Sequence, residues 1–231
     1  DHAGGAGHIM QRAGNATLVV HHKGARHMAD PSRLVEGAGA GYGEDACERL
    51  YGEIIGIDAS RMLVPQEGET ISLNGRVLQF LDTPGHANHH HCIWDVKTQS
   101  MFTGDTLGVS YKALRSEGRA VLMPSSTPVQ FNPEVLHASI EKVMAFAPAQ
   151  LYLTHFGVIE PNEHLINGLH EQINAYVQIT REVAASTDAD AFETALAVRL
   201  REYLSERAER ELENVDASTI AEWVPFDAEL N

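Results

Sequence analysis

The sequence predicts an α/β fold that ends in a helical extension, and three observations carry that prediction. Short β-branched and apolar stretches recur at close spacing between residues 61 and 103. A proline-initiated helix over 134–147 leads into a further apolar strand, Gln150–Thr154. After Pro161 apolar residues recur only at helical spacing, as at Leu196, Leu200, Tyr203 and Leu204. These features place a sheet-containing domain over 1–161 and a helical extension over 162–231, with no internal repeat.

Each element has a local cause. Gly4 and Gly5 permit a tight turn before a short helix over Ala6–Ala13, which Asn15 breaks. Thr17–His22 is apolar and β-branched, and is expected as a strand. Gly24–Leu34 is expected as a loop and short helix. Gly37, Gly39, Gly41 and Gly43 alternate with alanine and are expected to form a mobile connection; the Gly-x-x-x-x-Gly-Lys pattern of a phosphate loop is absent. Glu44–Tyr51 is expected to be helical. Arg61–Pro65, Thr70–Leu73 and Val77–Asp82 read as strands, with Asn74-Gly75 as a two-residue hairpin turn. Cys92–Val96 and Ser100–Thr103 follow. Pro124–Pro133 is irregular, and Pro133 suits the first turn of the helix after it. His164–Ser186 and Ala189–Glu213 are helices.

Composition narrows the function. The chain has 231 residues, 43% hydrophobic and 21% charged, enough to bury a core. Its formal net charge of −15 repels phosphate backbones and anionic membrane surfaces. No nucleic-acid or membrane partner is therefore expected, and a small molecule is the expected substrate; a homodimer is left open. Cys47 and Cys92 provide no disulfide framework, and no apolar run approaches the ~20 residues of a membrane helix. Histidine is over-represented at 13, several in clusters. The chain opens on Asp1-His2-Ala3-Gly4-Gly5 without an initiator Met, so it is expected to be a fragment, with a cytoplasmic origin as the default.

Four places pair a metal-binding side chain with a turn or a strand end: Asp1-His2, Thr83-Pro84-Gly85-His86, Thr103-Gly104-Asp105-Thr106 and Leu153-Thr154-His155. In the last three an apolar stretch delivers the residue at its C-terminal end, where strands hold position and loops are free to vary. Imidazole and carboxylate donors without thiolate suit Zn²⁺, Fe or Mn²⁺. Each motif alone is ordinarily a turn or a capped strand end; in this order they are far more specific. No Gly-x-Ser-x-Gly elbow offers a rival nucleophile. The other histidines read more plainly. His21, His22 and His27 are expected at the surface or in structural roles, and His137, His164 and His170 on solvated helix faces.

The four segments together resemble the metallo-β-lactamase-fold hydrolases. Asp1-His2-Ala3-Gly4-Gly5 is similar to the second half of that family's His-x-His-x-Asp-His-x-Gly-Gly motif. Thr83-Pro84-Gly85-His86 and Thr103-Gly104-Asp105-Thr106-Leu107 are similar to its next two segments, and Thr154-His155 resembles its last metal histidine. The resemblance spans about residues 1–160 and is nearest the glyoxalase II-like branch. Thr154-His155-Phe156 departs from that branch's Gly-His-Glu, as does the stretch after Leu107. The resemblance implies an αββα sandwich lacking its first strands. It also implies two divalent metal ions, expected as zinc, with iron as the other candidate. One ion would be held by Asp1, His2 and His155. The other would be held by His86 and two upstream histidines. Asp105 would bridge the ions, and Asp1 would also aim the nucleophilic hydroxide. His90, four residues after His86, is expected to support the metal ligands or face substrate, and Tyr111 to hydrogen-bond a substrate carbonyl. The implied reaction is hydrolysis of a small ester, thioester or lactone. The alternative is an iron oxidoreductase of the same fold, of the persulfide dioxygenase or flavodiiron type.

Overall fold

The computed structural model describes residues 2–115, 120–155, 157–212 and 215–230. The chain forms two compact units, Asp1–Thr70 and Ile71–Asn231, taken in turn below.

The first unit carries helices α1 (Ala6–Arg12), α2 (His22–Ala29), α3 (Ser32–Tyr42) and α4 (Glu44–Tyr51), with a short parallel pair, β1 (Leu18–Val19) and β2 (Met62–Leu63). The strand expected over Thr17–His22 contracts to two residues. His21 leaves the extended path and caps α2, its Nδ1 accepting the Lys23 N–H at 3.1 Å. The glycine-rich stretch is not a free connection: α3 runs through Gly37, Gly39 and Gly41 and packs on α4. Arg61 anchors the end of α1, donating to the carbonyls of Met10, Ala13 and Ala16 at 2.8, 2.6 and 3.0 Å. Of these, the Met10 carbonyl belongs to the last turn of the helix, where carbonyls lack a partner within the helix.

The second unit is a mixed sheet covered by helices. Its strands are β3 (Thr70–Leu73), β4 (Arg76–Asp82), β5 (His91–Asp95), β6 (Ser100–Gly104), β7 (Gln150–Leu153) and β8 (Gly157–Ile159), and they lie side by side in that order. Asn74 and Gly75 both adopt positive φ (50° and 81°), the geometry of a tight turn between β3 and β4. β4–β5 and β5–β6 pair antiparallel; β6–β7 pair parallel. Strands β4, β6 and β7 therefore run the same way, and their C-terminal ends share one edge of the sheet.

The crossover from β6 to β7 contains α5 (Pro133–Met144). Pro133 opens the helix and Asn132 caps it, its side chain accepting the Val135 N–H at 3.1 Å. α6 (Glu163–Ser186), α7 (Phe192–Glu211) and α8 (Ala217–Leu230) follow. Strand β8 is not evident in the sequence; it is three residues long, too short for alternation to show. One apolar cluster joins the sheet to α5 and α6 through Leu81, Met101, Leu136, Ile140, Leu151 and Leu169, all essentially buried. Each such leucine or isoleucine contributes about 1.5–3 kcal/mol. A second cluster lies among α6, α7, α8 and the segment around Tyr111. The C-terminal helices thus share the unit that holds the sheet.

Candidate metal centre

Three residues meet at the shared strand edge of the second unit. His86 follows β4, Asp105 follows β6 and His155 follows β7. Asp105 is 6% exposed, and its two oxygens face two different imidazoles. Oδ2 lies 3.2 Å from His86 Nε2, and Oδ1 lies 3.7 Å from His155 Nε2. One carboxylate thus stands between two histidine nitrogens.

His86 is held from the side of α5. Gly85 adopts φ +127°, and a Cβ there would lie 2.4 Å from the Leu136 backbone, so only glycine lets the chain pass this close to the helix. Asn132 N–H donates to the Gly85 carbonyl at 2.7 Å, Ser139 Oγ to the Pro84 carbonyl at 2.6 Å, and Lys142 Nζ to the Asp82 carbonyl at 2.8 Å. Nδ1 of His86 lies 3.0 Å from the Ser125 carbonyl, which can only accept. Nδ1 therefore carries the proton. In the neutral ring Nε2 presents its lone pair toward Asp105. A lone pair opposite a carboxylate oxygen at 3.2 Å calls for a cation between them, either a proton or a metal ion.

Asp105 is held by His90. Its backbone N–H donates to His90 Nε2 at 2.9 Å. His90 Nδ1 then bears the proton and lies 3.0 Å from both Thr83 Oγ1 and Thr106 Oγ1. The donors continue in one direction: Thr106 Oγ1 to Thr83 Oγ1, Thr83 Oγ1 to Cys92 Sγ, and Cys92 Sγ to the Thr103 carbonyl. Gly104 allows this approach. It adopts φ +49°, and a Cβ there would lie 2.3 Å from His90 Nε2. With one nitrogen accepting and the other donating inside the protein, His90 supports the ligand-bearing loop rather than offering a donor atom of its own. Cys92 is fully buried, and that burial pushes its thiol up to about 11, so it is not a ready nucleophile. His155 is seated by its backbone, whose carbonyl accepts from Ser110 N–H at 2.8 Å.

Asp1 falls outside the described residues. His2 is exposed and precedes α1 in the first unit. Tyr111 does not join His86 and Asp105. It is 3% exposed in the helical cluster, and its hydroxyl donates to Asp227 Oδ1 at 2.9 Å. Burial, then the Asp227 charge, raise its pKa far above the phenolic value. Ser139 contributes to the site without any sequence signal, and Thr83 and Thr106, though inside the segments that carry His86 and Asp105, act through His90 in a way those segments do not show. The proline-rich stretch 124–133 was the one hint that an irregular segment would be needed beside His86.

Nitrogen and oxygen donors without thiolate, with a carboxylate set between two imidazoles, fit a divalent metal centre. The chain belongs to the metallo-beta-lactamase superfamily, whose family profile matches residues 1–155. Members of this superfamily bind metal ions and are largely enzymes. Among its relatives is the metallo-beta-lactamase fold-containing protein ST1585 of Sulfurisphaera tokodaii. The two are 26% identical over 127 residues, covering 53% of this chain and 45% of that protein. The crystal structure of ST1585 superposes with a TM-score of 0.58 at 20% identity, covering 73% of this chain and 61% of that one. A metallo-beta-lactamase family protein from Thermus thermophilus, TTHA1429, superposes with a TM-score of 0.55 at 19% identity, covering 82% of this chain and 61% of that one. The chain thus spans about half the length of the curated relative it matches.

Proposed function

We propose that this protein is a metal-dependent hydrolase acting on a small ester, thioester or lactone. The observation that carries the proposal is the position of Asp105, with one carboxylate oxygen toward His86 Nε2 and the other toward His155 Nε2. In this role His86, Asp105 and His155 would hold the metal, and zinc is the ion proposed. His2 and Asp1 would complete the second ion's ligands. Bound divalent ions would supply a hydroxide at neutral pH and polarise the scissile carbonyl.

The protein's own groups prepare that chemistry. Ser125 holds His86 in the tautomer that turns Nε2 toward Asp105. His90 fixes the Asp105 backbone and so the direction of its carboxylate. Burial of Asp105 strengthens its pull on any cation, because little water competes. The net charge of −15 favours a neutral or weakly charged substrate over nucleic acid.

The test is metal content by elemental mass spectrometry, followed by turnover on p-nitrophenyl acetate, an acyl thioester and a lactone. Bound zinc with turnover of at least one substrate, the turnover and the zinc of this centre both lost in Asp105→Asn, is the expected result. One iron per chain and no hydrolysis would replace this proposal with an iron oxidoreductase of the same fold.

A further inference from the structure

A second pair of histidines lies outside the candidate centre, where α5 packs against α6. Nδ1 of His137 and Nδ1 of His170 face each other at 2.5 Å, with the rings tilted by 31°. Their other nitrogens are committed crosswise. His170 Nε2 lies 3.0 Å from Glu141 Oε1, and His137 Nε2 lies 3.0 Å from Asn174 Oδ1. Each histidine is thus oriented by the residue four positions along the opposite helix. Both partner atoms are acceptors, so both Nε2 atoms carry the protons. A neutral imidazole has only one proton to give. Two bare Nδ1 lone pairs therefore converge on one point, an arrangement that is repulsive unless a cation sits there.

We propose that His137 and His170 form a second, structural binding site for a divalent transition metal with imidazole affinity, such as Zn²⁺, Ni²⁺ or Cu²⁺. An Nε2–H held by a carboxylate or an amide oxygen is the arrangement that fixes metal-binding histidines and raises their basicity. Metal–nitrogen bonds of about 2.0–2.1 Å require the two atoms to part by roughly an ångström, which a small rotation of either ring supplies. Both rings are partly exposed, and a hollow of about 390 Å³ bounded by His137 and Asn174 gives access from solvent. Water completes the coordination shell. A bare proton is the weaker occupant near neutral pH: burial and the neighbouring His137 lower the pKa of His170, against the opposing pull of Glu141. The consequence is mechanical. The same helix, α5, holds the His86 segment through Asn132, Ser139 and Lys142. Metal at the histidine pair ties that helix to α6.

The experiment uses the full chain, stripped with chelator and dialysed against Zn²⁺. Bound zinc is counted in the wild type, His137→Gln, His170→Gln and Asp105→Asn, with circular dichroism confirming the fold. Each glutamine variant is expected to lose one zinc that Asp105→Asn retains. Glu141→Ala is expected to weaken the same site about 10–100-fold. Cu²⁺ added to the Asp105→Asn protein is expected to show nitrogen hyperfine structure that disappears in Asp105→Asn/His170→Gln. Equal zinc counts in the wild type and both glutamine variants would overturn the proposal and leave the pair holding a proton only. Loss of the same single ion in Asp105→Asn and His170→Gln would overturn it as well. Neither outcome depends on hydrolytic activity.

Discussion

Gly104→Ala tests the support of Asp105 most directly. Gly104 sits at φ +49°, where an L side chain costs about 1–2 kcal/mol. The new methyl would also lie 2.3 Å from His90 Nε2 and 2.7 Å from Cε1. The imidazole must move, which breaks the 2.9 Å bond from the Asp105 N–H and leaves a buried donor unpaired, at about 1–3 kcal/mol. The expected loss is roughly 2–5 kcal/mol, a large share of a typical stability of about 5–15 kcal/mol. In a His90→Ala background the clash is gone and that bond is already lost, so only the backbone cost of about 1–2 kcal/mol should remain. Urea unfolding followed by tryptophan fluorescence is the assay. Both tryptophans, Trp94 and Trp223, lie in the second unit, so the signal reports the unit that changes. Hydrogen exchange at the Asp105 amide gives an independent reading. If Gly104→Ala costs the same in both backgrounds, His90 does not hold the Asp105 loop and the account of this site is wrong.

Other outcomes follow from features already described. Tyr111→Phe removes a hydroxyl from Asp227, which the Tyr176 hydroxyl also reaches at 3.2 Å, and should cost about 1.5–3 kcal/mol in a thermal melt. Lost turnover at unchanged stability would instead return Tyr111 to the substrate. Asn162→Ala removes the cap of α6, whose side chain accepts the Leu165 N–H at 3.0 Å, and should cost about 1 kcal/mol; no change in the urea midpoint would refute a capping role. Cys92 should resist iodoacetamide in the native protein near pH 8 while reacting readily in urea, as read by peptide mass mapping. Its folded pKa is raised from 9.0 to about 11. The stability it contributes is therefore complete below the unfolded value and is lost as pH climbs through that window, roughly 3 kcal/mol in all. Cys92→Ala should flatten that part of the pH profile, and an unchanged slope would show that the thiol is not the group titrating.

Legibility in the sequence tracked the range of the forces involved. The hairpin at Asn74-Gly75, the proline-started α5 and the amphipathic α6 are specified by neighbours along the chain, and they stand where the residues place them. The strand ends carrying His86, Asp105 and His155 were visible because an apolar run stops at a ligand-type residue in each. Tertiary contacts overrode local preference elsewhere. Three glycines argued against a helix in α3, at about 1 kcal/mol each, yet that helix packs on α4. His21 looked like the end of a strand and is a helix cap. The Ser125 carbonyl that fixes His86 is a backbone group, so no side-chain pattern could advertise it. His137 and His170 read as solvated helix positions, because their pairing depends on the packing of α5 on α6, and helical periodicity within one segment does not report that.

The parallel pairing of β6 with β7 has a consequence for how the protein is made. His86 and Asp105 sit at the ends of strands joined locally, through β5, and can approach early. His155 arrives only when the long crossover through α5 has closed and Leu151 has settled beside Met101. Contacts of that range form late, since the chain must lose much of its freedom before they repay it. The third ligand of the candidate centre is thus a marker of completed folding. An ion that requires His155 will bind the finished chain and not its precursors, so supplying metal should slow unfolding far more than it speeds folding.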